Sequence, residues 1–236
     1  MKTAKLFVFC LTIFCASPFV RAQAFTDLNF ESATMVPASG FYVQFNQAFP
    51  GWTGTVDGVQ QALVLSNEVY LDSAGISIID NNWTNSTAHL SGFPGGVIQG
   101  NYTAILMSGN TLGANPQPAD TTLSQTSLVP IGIQSLQFEA YQVFDSLGAF
   151  TVTLDGQNLS LIVISNTLNY TLYSANISAW AGQTAQLSFN VLGENPHVDD
   201  EYLYLDSIQF STQSVPEPGE LDLVALGTLF LGFRRR

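Results

Sequence analysis

Cysteine is almost absent from this 236-residue chain, and the two that occur, Cys10 and Cys15, both lie within the first fifteen residues. Beyond Cys15 no disulfide can form, so a hydrophobic core or a bound ion must hold the fold. Basic residues are as scarce: Lys2, Lys5, Arg21, Arg234, Arg235 and Arg236 are the full set. Between Phe25 and Phe233 there is no Lys or Arg, whereas all eighteen Asp and Glu fall in that stretch, with His89 and His197 as its sole potential cations. A body of this composition cannot form a Lys or Arg salt bridge. It also lacks the cations that neutralise phosphates, which excludes nucleic acid as a partner, and an anionic membrane surface is excluded for the same reason. Water, neutral polymers such as polysaccharides, and divalent cations remain. The all-acid surface keeps the chain soluble by self-repulsion.

Enzyme signatures are missing too. There is no G-x-S-x-G, H-E-x-x-H, C-x-x-C or phosphate loop, and no electrophile or clamp built of Arg or Lys is available. The expectation is a non-enzymatic protein. A glycan-active hydrolase using two body carboxylates ranks last among the alternatives.

What is present begins at the ends. Lys2 and Lys5 precede an apolar run from Leu6 to Phe19, and Ala22-Gln23-Ala24 places small residues at cleavage-site spacing, the pattern of a secretory signal peptide over residues 1–24. Phe14 stands where a lipidated Cys15 would need a small residue, which argues against a lipoprotein. At the other end, Val215-Pro216-Glu217-Pro218 breaks any preceding strand. The apolar stretch Leu221–Phe233 follows, and then Arg234, Arg235 and Arg236. Positive charge after an apolar segment holds that end in the cytoplasm. Thirteen helical residues cover roughly 20 Å of a roughly 30 Å hydrocarbon core, and Asp222 interrupts the run, so a permanent anchor is marginal.

This order of VPEP, apolar segment and arginines resembles the PEP-CTERM sorting signal of exported bacterial proteins. The resemblance covers Val215 to Arg236 only. It implies transient insertion in the inner membrane, recognition and cleavage by an exosortase-type enzyme, and delivery to the cell surface or matrix in bacteria that make exopolysaccharide.

Between the ends, periodicity is that of strands. Phe150, Val152 and Leu154 alternate onto one face, Asp155-Gly156 makes a tight turn, and Asn158–Ile164 reads as the partner strand of a hairpin. Further short runs fall at 62–65, 76–79, 102–107, 135–140, 185–191 and 201–210, separated by Gly, Asn, Ser and Thr clusters. Many short strands without helical periodicity imply an all-β antiparallel sandwich over residues 25–211, followed by a linker at 212–220 and the hydrophobic segment with its Arg-rich end at 221–236.

Asp27-Leu-Asn-Phe-Glu31, Phe49-Pro-Gly-Trp52, Gly100-Asn-Tyr-Thr-Ala104, Ala179 to Phe189, and Leu203-Tyr-Leu-Asp-Ser-Ile-Gln-Phe210 together resemble the landmarks of galactose-binding-like jelly-roll domains. The resemblance implies a first strand ending at Glu31 beside a last strand carrying Asp206. Those two acids are the expected ligands of a structural Ca2+, with backbone carbonyls completing the shell. It also implies a carbohydrate-binding module as the alternative function.

The cluster Glu194 to Glu201, with His197, Asp199 and Asp200, reads as a solvated loop, because adjacent residues on a strand point to opposite faces. Of the aromatics Phe41, Tyr42, Trp52, Trp83, Phe93, Tyr102, Tyr141 and Trp180, most are expected in the core. Trp83, flanked by Asn82 and Asn85, is expected to be exposed, with a face on which a sugar ring would stack.

Overall fold

The computed structural model describes residues 23–70, 72–83, 96–113, 115–143, 150–193 and 201–215. Residues 1–22 of the expected signal peptide, Asn85, Phe93, His89, the Glu194–Asp200 loop, and the tail from Pro216 through Arg236 lie outside the described residues, whereas Gln23 and Ala24 are described and lie beside β9 at Leu128.

Sixteen strands form in the described residues. The first eight are β1 (Pro37–Ser39), β2 (Tyr42–Gln44), β3 (Thr53–Val56), β4 (Val59–Gln60), β5 (Leu63–Ser66), β6 (Gly75–Asp80), β7 (Tyr102–Asn110) and β8 (Pro118–Ala119). They are followed by β9 (Thr121–Leu128), β10 (Ser135–Val143), β11 (Phe150–Leu154), β12 (Gln157–Asn158), β13 (Ile162–Asn166), β14 (Thr171–Asn176), β15 (Thr184–Val191) and β16 (Glu201–Ser211). One turn of helix, α1 (Phe45–Ala48), and a short 3₁₀ turn at Ser178–Trp180 are the helical elements there.

Two sheets result. The larger runs β1-β2-β5-β6-β7-β16-β10-β14-β13 with β8 attached to β7, and the smaller runs β12-β11-β15-β9-β3-β4. Pairing between these strands is antiparallel except for the parallel contact of β5 with β6. An all-β two-sheet sandwich is therefore present, as alternation and turn spacing imply.

The core lies between the sheets because each presents its apolar parity inward. Leu136, Phe138 and Ala140 of β10, and Leu203, Leu205 and Ile208 of β16, meet Val152 and Leu154 of β11 and Leu187 and Phe189 of β15. Phe138 packs edge-on against Phe189 with ring centroids 5.2 Å apart. The large sheet is also covered on its outer face, where Ile79, Ile105, Met107, Tyr202 and Tyr204 form a second apolar cluster. That double burial explains the unbroken apolar runs Ala104–Met107 and Tyr202–Leu205, which do not alternate.

The turn at Asp155-Gly156 forms, with φ of 51° and 74°, the left-handed pair that two-residue hairpins require. Its partner strand departs from expectation. Only Gln157 and Asn158 pair with β11, and the chain then leaves the small sheet so that Ile162–Asn166 pairs with β14 in the large one. Leu159 and Leu161 pack on the core during that crossing, so burying the two leucines outweighs extending the hairpin. The first strand expected to end at Glu31 is likewise a set of turns, with Asp27 and Phe30 at φ of 50° and 58°. The neighbourhood survives: Ile208 N–H of β16 donates to Leu28 O at 2.9 Å.

Strand β9 is invisible to hydrophobic patterning because Leu123 is the one large apolar residue between Thr121 and Ser127. It nonetheless lies inside the small sheet, paired with β15 over eight residues and with β3 over four. Leu123 is fully buried, so Leu123→Ala should cost about 2–5 kcal/mol of stability. Urea unfolding followed by far-UV circular dichroism checks this.

Candidate functional site

Three arrangements follow from residues that the fold brings together. The first is a clamp on the segment 99–103. Glu31 Oε1 accepts from Asn101 N–H at 2.7 Å and Tyr102 N–H at 3.2 Å, while its Oε2 accepts from the Asn101 side-chain amide at 2.7 Å. Asp206 grips the same segment from the last strand. Its Oδ2 accepts from Thr103 Oγ1 at 2.7 Å and Gln99 N–H at 3.2 Å, and Oδ1 accepts from Ser207 N–H at 2.6 Å. Gly100, at φ 63° with its Cα against the Glu31 carboxylate, leaves no room for a side chain.

Sequence reasoning paired Glu31 with Asp206 as calcium ligands. The structure brings both acids to one short loop, but their oxygens face N–H and O–H donors, which a cation would repel. Calcium needs six to eight oxygens, and in this arrangement those of the Glu31–Asp206 pair are taken by these donors. The pair's work here is to fasten the lead-in of β7 to the start and end of the domain.

A second arrangement is an acid pair on the outer face of the large sheet. Glu139 of β10 is the cross-strand partner of Asp206 of β16. Both are buried. Glu139 Oε1 accepts from the Gln99 amide at 3.0 Å, and its Oε2 is buried with no hydrogen-bond partner among the described residues. Burial above all, with Glu139 as a smaller contribution, pushes the Asp206 carboxyl up to about 7 against the donors that favour its ionised form. The charge of Glu139 also raises the phenol pKa of Tyr170. Nearby, Tyr204 packs between Trp83 and Tyr141, each with its ring centroid 6.2 Å away, and burial pushes the Tyr204 phenol upward.

Trp83 thus differs from the expectation of an open ring. It is half-buried on Tyr204 as part of the outer apolar cluster, because the turn after β6 folds it back onto the sheet. That turn is tied by Asp80, whose backbone O accepts from Trp83 N–H at 2.9 Å and whose Oδ1 accepts from Asn82 N–H at 2.8 Å. Asn82 is exposed beside it. Among the other aromatics Trp52 is buried, Tyr42, Tyr102, Tyr141 and Trp180 are half-buried, and Phe41 is exposed rather than in the core. Of the sorting motif, Val215 is the last described residue. Pro216, Glu217, Pro218 and Arg234 to Arg236 lie outside the described residues.

The third arrangement is a cleft of about 480 Å³ where the edges of the two sheets part. Val56, Val59 and Gln61 from the β3–β4 region form one wall, and Tyr42, Leu63 and Leu65 from β2 and β5 form the other. Tyr70, Thr111 and Leu112 complete the lining. Its apolar rim is open: Val59 is 65% exposed, Leu112 68% and Leu63 38%. Within it the Tyr42 and Tyr70 hydroxyls are 2.6 Å apart, and burial, followed by the Tyr42 hydroxyl, pushes the Tyr70 phenol up to about 12. Asp57, in the β3–β4 turn, is the one charged residue of the lining among the described residues. Patterning missed this site because Val59 and Leu112 are isolated apolar residues in turn-rich segments, and only the meeting of two sheet edges joins them. The Glu139–Asp206 pair had a readable signal, an acid set inside an otherwise apolar strand.

Asp206 allows a pH prediction. A carboxyl whose folded pKa lies above its unfolded value of about 4 binds more protons folded than unfolded, so stability is lost as pH rises from about 4 through about 7. The urea midpoint should therefore be higher at about pH 5 than at about pH 8. Asp206→Asn, which keeps an acceptor but cannot ionise, should flatten that slope, and an unchanged slope would refute the assignment.

No protein-family model matches the chain. No curated protein matches it either. Among solved structures, TmCBM61 in complex with β-1,4-galactotriose is similar at 14% identity, covering 80% of this chain and 97% of that one with a TM-score of 0.42. The secreted serine protease VesC from Vibrio cholerae is similar at 10% identity, covering 75% of this chain and 43% of that one with a TM-score of 0.30.

Proposed function

We propose that this is an exported, non-enzymatic surface or matrix protein whose jelly-roll-type body binds a neutral polysaccharide. The cleft between the sheet edges carries the reading. It combines an exposed apolar rim, two tyrosines, and the polar groups of Gln61 and Thr111. Sugar rings offer apolar C–H faces to such a rim and hydroxyls to such polar groups. Asp57 with no basic residue in the lining disfavours uronates and other anionic sugars, so the ligand class is uncharged. The address is that of a PEP-CTERM protein: export through residues 1–24, transient inner-membrane insertion through Leu221–Phe233, and release by an exosortase-type enzyme near Val215 to Pro218.

Titration of the protein against neutral and uronate-containing glycans tests the binding reading. Saturable binding to a neutral glycan is expected. Val59→Arg and Leu112→Arg, which fill an exposed mouth without touching the core, should weaken it at least about tenfold, the loss of roughly 1.4 kcal/mol. Trp83→Ala should leave it intact. Loss with Trp83→Ala but not with the rim variants would move the site to the outer face beside Tyr204. No binding by the folded protein would refute the proposal. For the address, removal of residues 216–236 should send the protein to the medium, and retention on cells as before would refute the sorting assignment.

A further inference from the structure

Each sheet has two edges, and a strand edge is a template for another strand unless it is short, charged, bulged or interrupted by proline. Three of the four edges are blunt. β4 and β12 have two residues each, and β1 has three, beginning at Pro37. β13 is different. It has five residues, Ile162-Val-Ile-Ser-Asn166, with no proline and no charge, and its side away from β14 has no partner strand among the described residues.

The same edge is apolar and firmly built. Val163 is 47% exposed and Ile164 42%, and Ile164 is the extra residue of a bulge against β14, so two successive apolar side chains meet solvent. Leu168, in the β13–β14 turn, is 86% exposed. That turn is closed by its own hydrogen bonds. Thr167 Oγ1 accepts from Asn169 N–H at 3.1 Å and Tyr170 N–H at 2.9 Å, and Thr171 Oγ1 donates to Asn166 Oδ1 at 2.7 Å. The exposed leucine sits on a preorganised hairpin.

Charge selects the occupant. From Gly156 to Gly193 the chain has no Asp, Glu, Lys, Arg or His, although it carries eighteen acids elsewhere and a net charge of −12. Two copies meeting through most faces would set carboxylate against carboxylate with no basic side chain to relieve them. Meeting through β13 brings neutral residues together. We propose that β13 pairs antiparallel with β13 of a second copy about a two-fold axis, joining the two large sheets and covering Val163, Ile164 and Leu168. The residual repulsion is long-range, so added salt tightens the dimer. This inference is independent of the glycan reading.

Sedimentation equilibrium on the full chain, with Cys10 and Cys15 replaced by serine, tests it. The expected mass is twice the 25.5 kDa of one chain, with the dissociation constant falling as salt rises. Ile164→Lys should give the single-chain mass with an unchanged circular dichroism spectrum. In the same background, Ile164→Cys should form a disulfide-linked dimer on mild oxidation, whereas Leu112→Cys, exposed at the distant cleft, should not. Should Ile164→Lys fail to fold, the cysteine pair decides. A single-chain mass for the unsubstituted protein at every concentration and salt, a doubled mass retained by folded Ile164→Lys, or equal crosslinking at both cysteines would overturn the proposal.

Discussion

Carboxylates without basic partners are the constraint on which this structure is built. Where an acid is buried in most proteins, a Lys or Arg neutralises it, but between Phe25 and Phe233 none exists. The acids drawn into the fold are therefore satisfied by neutral donors, and the most deeply buried of them, Asp206, holds its proton to a higher pH. Glu31 spends its oxygens on two backbone N–H groups and an amide, and Asp206 on a hydroxyl and two backbone N–H groups. Both converge on residues 99–103, so the beginning and end of the domain are held to one loop that starts β7.

That loop leads into the most deeply buried part of the large sheet. β7, β16 and β10 lie side by side, with the inter-sheet core on one face and the tyrosine-rich cluster on the other. Glu139 and Asp206 occur where those central strands present an acid to the second cluster. In such surroundings an ionised carboxylate loses its hydration, and the raised pKa of Asp206 is above all the consequence of that burial, with the neighbouring Glu139 adding a little. The periphery is different in kind. Toward β5 and β4 the sheets part into a cleft, and toward β13 the large sheet ends in an uncharged apolar strand. The two features lie at opposite ends of the large sheet, so a ligand in the cleft and a second copy at the edge would not compete.

The sandwich was legible where inward and outward residues differ sharply. Phe150, Val152 and Leu154 alternate as they should, and the runs at β6, β7, β10, β15 and β16 are apolar enough to stand out. β9 was not legible, since Thr and Ser serve on both of its faces and its place depends on neighbours that are distant in sequence. Patterning also extended the Asp155-Gly156 hairpin too far, because alternation continues past Asn158 while the pairing partner changes sheet. For the candidate sites, the two acids at Glu31 and Asp206 were read as neighbours, and they do share a loop. Their donors, and therefore their role, depend on backbone directions that no spacing encodes.

Composition alone determined what the body can offer a partner. Between Phe25 and Phe233 it has no Lys or Arg to set against a phosphate, and without cysteine there it cannot be disulfide-stapled, whatever its fold. Alternation and turn residues determined that it would be a sandwich of short strands, since these signals act over a few residues. Tertiary structure alone decided which sheet edges diverge into a cleft, which acids meet, and which strand ends the large sheet among the described residues. Each of these depends on contacts between segments far apart in the chain, and local preference carries no information about them.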